Sequence, residues 1–217
     1  MSDLIVSFYP YKGIWTYYNR NTPNIIIKGP YDPEDDLYNQ ILYRSETLKK
    51  WKTPFIMHPL KTKEKKNMMW ISFPNALGHF PSSWHKHRQD GYSYLMSDEL
   101  LPTLSKVDES NRQYYTADLL LAYVHLYIIG SNDHHPFTTL IDHNGNIVIA
   151  DYTGVQDEEM THEMFYINRE KYNKDIYRLL RPFYLEIAND ISELDVGEDQ
   201  EMIHRKNMAI DLLLKYQ

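Results

Sequence analysis

A turn predicted at Asn144 and Gly145 constrains the fold of this chain more than any other feature of its sequence. Two short runs of strand-forming residues, 138–142 and 146–150, flank this pair. Asn-Gly between such runs favours a tight two-residue turn, because both residues tolerate the positive φ angles that the turn requires. The sequence therefore predicts a β-hairpin in the second half of the chain.

The composition predicts one folded domain in a reducing compartment. Hydrophobic residues make up 42% of the 217 residues and charged residues 24%, which is typical of globular chains. The chain has no cysteine, which excludes disulfides, thiolate zinc sites and cysteine nucleophiles. The N-terminal apolar run is too short for a signal peptide, so we expect a cytoplasmic protein.

Charge and hydropathy bear on the partners that the chain can have. The net charge of −7 argues against nucleic acid as the default partner. The longest apolar stretch, 117–129, contains Asp118 and His125 and is too short to cross a bilayer, so it predicts a buried helix and no membrane span. The richness in Asn, Ile, Lys and Tyr is typical of AT-rich genomes, viral ones among them.

The N-terminal third of the chain, 1–73, has the pattern of five strands and one helix. Two strands are expected within residues 4–18, and single strands at 24–28, 55–58 and 68–73. The helix should start with Asp32 as N-cap and Pro33 at the first helical position. Its buried face is marked by residues at helical spacing: Tyr38, Ile41, Leu42, Ser45 and Leu48. The lysine-rich residues 61–66 are interpreted as a solvated loop between the last two strands.

After Pro74 the pattern becomes mostly helical. Residues 74–91 are rich in proline and histidine and are interpreted as a hinge. A capping box of Ser110 and Gln113 predicts a helix that is stopped by Gly130. Two more helices are expected at about 171–190, with a kink at Pro182, and at 200–216.

Residues suited to phosphoryl transfer occur in a workable order along the chain. This chemistry requires carboxylates that hold magnesium and orient a hydroxyl, and a cation on the nucleotide phosphates. Lys28 ends a strand, and Glu46 lies on the predicted helix that follows it. Asp133 precedes the hairpin and Asp151 ends it, so the hairpin would bring both carboxylates to the same end.

Residues 127–154, with the sequence YIIGSNDHHPFTTLIDHNGNIVIADYTG, resemble the catalytic segment of protein kinases and, more closely, of phosphoinositide lipid kinases. Residues 133–135 (Asp-His-His) stand where lipid kinases have Asp-Arg-His. Thr138 falls at the position of the family's asparagine, and residues 151–154 (Asp-Tyr-Thr-Gly) replace Asp-Phe-Gly with one extra residue.

The resemblance implies an α+β, two-lobed protein-kinase-like fold. Residues 1–73 would form the N-terminal lobe and residues 74–217 the C-terminal lobe, with ATP and magnesium bound in between. Asp151 would ligate magnesium, and Asp133 or His135 would orient the hydroxyl of an acceptor that the sequence does not identify. Three more residues would contribute to nucleotide binding. Lys28 would pair with Glu46, and Thr138 is the third.

Two alternatives remain open at this point. Thr138 is a poorer metal ligand than asparagine, and Gly13 stands where protein kinases have several glycines, so the chain could be an inactive pseudokinase that binds a protein partner. The Asp-His-His triplet also matches a family of metal-dependent phosphoesterases, in which two divalent ions activate water. The Asp-x-Asp motif that accompanies the triplet in that family is missing from this sequence.

Overall fold

The computed structural model of the chain describes residues 4–9, 14–19, 22, 25–34, 36–74, 109–131, 139–141, 147–149, 152 and 181–217. Within these residues, an antiparallel five-stranded sheet, a two-stranded hairpin and four α-helices are present. The combination of antiparallel sheet and helices agrees with the α+β prediction. An arrangement in two lobes stays a prediction.

The five-stranded sheet is built from the N-terminal third of the chain. Its strands are β1 (Leu4–Tyr9), β2 (Ile14–Asn19), β3 (Ile25–Tyr31), β4 (Lys61–Lys65) and β5 (Met68–Pro74). They lie in the order β1-β2-β3-β5-β4, and every neighbouring pair is antiparallel. Side chains alternate between the two faces, so that Ile26, Ile71 and Phe73 are buried on one face. This part of the chain contains the predicted helix, and four of its five strands lie where the sequence predicts them.

One strand lies at a different place from the prediction. The lysine-rich residues form the edge strand β4 and not a loop, because Lys66 and Asn67 both adopt positive φ angles, 55° and 58°, and close a two-residue hairpin onto β5. The prediction of a strand at 55–58 is wrong. Ile56 forms an isolated parallel bridge to Ile149 outside the five-stranded sheet.

Helix α1 (Asp36–Lys50) follows β3, as the sequence predicts, but it begins later than expected. The Oδ1 atom of Asp32 accepts a hydrogen bond from the backbone N–H of Glu34 at 2.9 Å, which forms a local turn in place of a helix cap. The buried side of α1 carries five residues at helical spacing: Tyr38, Ile41, Arg44, Ser45 and Leu48.

Three helices belong to the second half of the chain: α2 (Glu109–Ile128), α3 (Tyr184–Ser192) and α4 (Gln200–Tyr216). Helix α2 ends just before Gly130, whose φ of +79° suits glycine, as predicted. A 3-10 turn, Arg181–Phe183, contains Pro182 and leads directly into α3. The side chain of Asp199 caps α4 by accepting hydrogen bonds from the backbone of Glu201 and Met202.

The two predicted hairpin strands are present as β6 (Thr139–Ile141) and β7 (Ile147–Ile149), an antiparallel pair with Thr139 opposite Ile149. Because Ile141 pairs with Ile147, an odd number of residues separates the strands, so this register does not fit the predicted two-residue turn at Asn144 and Gly145. The turn residues Asn144 and Gly145 lie outside the described residues. Buried side chains of the sheet, of all four helices and of β7 form one continuous core. Among the described helices, none combines the length and the apolar character that crossing a bilayer requires.

Candidate functional site

Four of the six residues predicted to carry the chemistry lie outside the described residues: Asp133, His135, Thr138 and Asp151. Lys28 on β3 and Glu46 on α1 lie within them. The described residues closest in sequence to the two aspartates are Ser131, Ile149 and Tyr152, and all three are buried. The structure therefore describes the residues that hold the ends of the candidate catalytic segment.

Lys28 and Glu46 do not form the predicted ion pair. Within the described part of the chain, the ion pairs are Lys50 with Asp195 and Glu201 with Arg205. The Nζ atom of Lys28 lies over the ring of Phe73, 5.5 Å from the centroid, and Glu46 is exposed. The reason is the phase of α1, because residue 46 falls opposite the stripe formed by Ile41 and Leu48. The prediction of this ion pair was wrong.

Arg44 occupies the buried side of α1 and contacts both ends of the candidate segment. The residue is 5% exposed. Nη1 donates a hydrogen bond to the carbonyl oxygen of Tyr152 at 2.7 Å, and Nη2 donates to that of Gly130 at 2.9 Å. Gly130 shortly precedes Asp133, and Tyr152 directly follows Asp151. One guanidinium thus bridges the backbone on both sides of the hairpin.

Arg44 is not among the residues predicted for the site, although the sequence contains a hint of its role. Arg44 lies one helical turn after Ile41 and one before Leu48, so it falls on the apolar stripe of the helix. Arginine is almost never fully buried without partners, and its planar fork can serve two acceptors at once. An arginine at a stripe position therefore indicates polar partners in the core.

Residues 55–57, which follow α1, also hold the C-terminal end of the candidate catalytic segment. The backbone N–H of Ile149 donates to the carbonyl of Phe55 at 2.7 Å, and that of Met57 donates to the carbonyl of Ile149 at 3.0 Å. The Tyr152 hydroxyl donates to the carbonyl of Met57 at 3.2 Å. These bonds fix the chain immediately before and after Asp151 to residues 55–57.

A second arginine supports the C-terminal end of α2. Nε of Arg205, on α4, donates to the carbonyl of Ile128 at 2.9 Å. Together with Arg44, which bonds to Gly130 two residues beyond the helix, it places two cations at the end of a helix whose dipole presents partial negative charge there. Two helices, α1 and α4, thus hold the start of the loop that leads to Asp133.

A buried histidine lies on α2, near this end of the helix. Nδ1 of His125 is 2.7 Å from Oγ1 of Thr53, and the His125 ring meets the ring of Trp51 edge-on with centroids 5.4 Å apart. Burial lowers the pKa of His125 to about 4, because desolvation penalises the charged ring. His125 is therefore a neutral part of the core at pH 7.

Neither the comparison with known proteins nor a search for metal-binding groups among the described residues assigns a function to the chain. No protein-family model matches the sequence, and no curated protein matches it. Among the described residues, no group of three histidine or carboxylate side chains is arranged to hold a metal ion. The functional interpretation therefore depends on the resemblance of residues 127–154 and on the contacts that surround them.

Proposed function

We propose that the chain is a small, atypical kinase-like phosphotransferase. It binds ATP and magnesium in a cleft between an N-terminal lobe, residues 1–73, and a C-terminal lobe, residues 74–217. The observation that carries this proposal is the bond from Arg44 to the carbonyl of Tyr152. This bond links α1, the helix that follows the strand of Lys28, directly to the residue beside Asp151. In kinases the position of this helix relative to the metal-binding aspartate controls activity.

In this proposal the described contacts hold the backbone on either side of the segment that contains Asp133 and Asp151. Asp151 would hold the magnesium, since carboxylate oxygen is a ligand that magnesium prefers. Asp133 or His135 accepts the proton of the acceptor hydroxyl as that oxygen bonds to the transferred phosphorus and ADP leaves. Lys28, which lies over the ring of Phe73, would bind the phosphates, and Thr138 would help to hold the metal.

A nucleotide-binding pseudokinase is the second candidate, and one observation favours it. Lys28 lies on Phe73 without a bond to Glu46, whereas active protein kinases require the equivalent lysine–glutamate pair. Thr138, a weaker ligand than asparagine, supports the same interpretation. Both candidates bind magnesium-ATP, and they differ in whether phosphate is transferred.

Thermal unfolding with ATP, with magnesium and with both tests the binding that the two candidates share. We expect magnesium-dependent stabilisation of the parent by ATP, because a ligand that binds the folded state raises its stability. Asp151→Asn should abolish this shift, whereas Asp133→Asn should retain it. Asp211→Asn, at an exposed position on α4, is the matched control and should behave like the parent.

Transfer is measured as ADP formation, with and without candidate hydroxyl acceptors. Loss of ADP formation in Asp133→Asn, with ATP binding retained, supports the phosphotransferase. Binding without ADP formation in the parent supports the pseudokinase. Stabilisation by divalent metal alone would instead support the phosphoesterase interpretation. If Asp151→Asn binds magnesium-ATP as the parent does, the assignment of the site is wrong.

A further inference from the structure

The face of the five-stranded sheet opposite the core carries aromatic rings and lysines side by side. The alternation of the strands places Ile26, Ile71 and Phe73 on the core face and their neighbours on the other face. Trp15 is 39% exposed there, and Ile27 37%. We call this surface the aromatic–lysine face and define it by six residues: Trp15, Tyr17, Trp70, Lys61, Lys63 and Lys65.

The strand register sets these side chains in a row across the sheet. Lys63 is directly opposite Trp70, and Trp15 is directly opposite Gly29. The indole of Trp70 lies over Gly29, where a Cβ atom would be 2.8 Å from the ring. The ring of Tyr17 meets that of Trp70 edge-on, with centroids 5.2 Å apart. From the edge of the sheet towards its middle, the side chains in this row are therefore Lys63, Trp70 and Trp15.

The lysines form a regular line of positive charge along β4. Lys61, Lys63 and Lys65 are exposed and share one face, with about 7 Å between successive residues. Glu64 points to the opposite face. Lysines on an edge strand discourage pairing with other chains, but that role requires no aromatic side chains on the neighbouring strands.

We propose that the aromatic–lysine face binds single-stranded nucleic acid. The phosphates would follow the lysines of β4, and bases would stack on Trp15 and Trp70. A positive groove beside aromatic rings is the general way in which proteins hold single strands, since every base has a π face. A duplex keeps its bases stacked inside, and an acidic peptide makes no use of the rings. The net charge of −7 argued against nucleic acid, but the sequence of β4, Lys-Thr-Lys-Glu-Lys, is locally basic.

Trp70 supplies a second observation. Its Nε1 atom is buried and finds no acceptor among the described residues. A buried donor without an acceptor is unfavourable, so the indole gains by shifting towards an acceptor oxygen. A phosphate or a base carbonyl of a bound strand would supply that oxygen.

Anisotropy of fluorescein-labelled oligothymidylate, titrated with the full chain at several salt concentrations, tests the proposal. The variant with Lys61, Lys63 and Lys65 all changed to Gln should bind more weakly. Its slope of log affinity against log salt should fall by about 2, since each phosphate contact on a single strand contributes about 0.7. Trp15→Ala should weaken binding by at least about fivefold, and Trp15→Phe should restore most of it.

The matched control changes three exposed lysines elsewhere, Lys49, Lys52 and Lys215, to Gln. It should bind as the parent does, and the thermal unfolding of each variant verifies that it folds. Three results would overturn the proposal: no binding at low salt, an equal loss in the control, or equal competition by polyglutamate. The last result would identify an acidic polypeptide as the partner. Because ATP is absent from these titrations, the outcome does not depend on the proposed kinase site.

Discussion

The guanidinium of Arg44 and the carbonyl oxygen of Tyr152 are joined by a 2.7 Å hydrogen bond inside the core, although 108 positions separate the two residues in the sequence. The same guanidinium bonds to Gly130 at 2.9 Å. A helix that begins shortly after a sheet strand therefore holds the backbone on both sides of the β6–β7 hairpin. Any shift of α1 would pull on the chain next to Asp133 and Asp151.

Replacement of Arg44 by Met should lower the free energy of unfolding by about 2–4 kcal/mol, because two buried carbonyls lose their donor. Arg44→Lys should recover part of this loss, since an ammonium retains the charge but not the fork. Urea denaturation measures both variants. Arg181→Met is the control, because the exposed Arg181 also donates to a backbone carbonyl, that of Gln217. A change within about 0.5 kcal/mol for Arg44→Met would contradict this structural role.

His125 should make the protein less stable in mild acid. Its pKa is about 4 in the folded protein, against 6.5 for an unperturbed histidine, so the unfolded chain binds more protons between these values. Stability from this histidine is full above pH 6.5 and is lost as the pH falls towards 4. We expect a loss of about 2 kcal/mol between pH 7 and pH 5, measured by urea denaturation at each pH.

His125→Gln should remove most of this pH dependence, whatever it does to stability at pH 7. Burial also lowers the pKa of His58, so part of the dependence should remain in the variant. His204→Gln changes an exposed histidine of α4 and serves as the control. If the His125→Gln variant loses as much stability on acidification as the parent, His125 is not the group responsible.

Two glycines with positive φ angles differ in both backbone strain and crowding. A Cβ at Gly29 (φ +147°) would lie 2.8 Å from the Trp70 ring and 3.0 Å from the Met69 carbonyl oxygen, whereas a Cβ at Gly197 (φ +65°) would meet nothing within 4 Å. Gly29→Ala should therefore destabilise the protein by about 2–4 kcal/mol, and Gly197→Ala by about 1 kcal/mol. Equal thermal shifts in the two variants would contradict the close contact with Trp70.

Neighbouring leucines on α4 test which side of this helix belongs to the core. Leu213 is fully buried and Leu214 is 41% exposed. Leu213→Ala should cost about 2–5 kcal/mol because it leaves a cavity, and Leu214→Ala should change stability by less than about 1 kcal/mol. The intrinsic helix propensities cancel, since both variants make the same substitution in the same helix. Similar urea midpoints for the two would place the core elsewhere.

Local patterns predicted most of the described elements. Helix α4 begins and ends where its spacing indicates, and α2 ends just before the predicted Gly130. The hairpin strands β6 and β7 lie on either side of the predicted turn. In each case short-range preferences and burial favour the same structure.

The failures concern residues whose position depends on distant partners. Residues 55–58 are apolar enough for a strand, but the backbone bonds of this segment go to Ile149, which no local pattern could indicate. Residues 61–65 carry charges that are typical of a loop, yet as an edge strand they need to bury no side chain. The predicted pairing of Lys28 with Glu46 depended on the rotational orientation of α1. In the observed orientation, Arg44 faces the core and bonds to two acceptors that are distant in the sequence.

The remote partners of Arg44 also bear on the order in which the chain can fold. During synthesis from the N-terminus, α1 emerges well before Gly130 and Tyr152, which lie 86 and 108 positions later. Neighbouring strands of the five-stranded sheet are joined by short connections, except for β3 and β5. Such local pairings can form early in folding. The side chain of Arg44 therefore stays hydrated until the carbonyls of Gly130 and Tyr152, in the second half of the chain, have been synthesised. A nascent chain that stops before residue 152 therefore lacks one of the two carbonyls that hold Arg44, and with it α1, in the core.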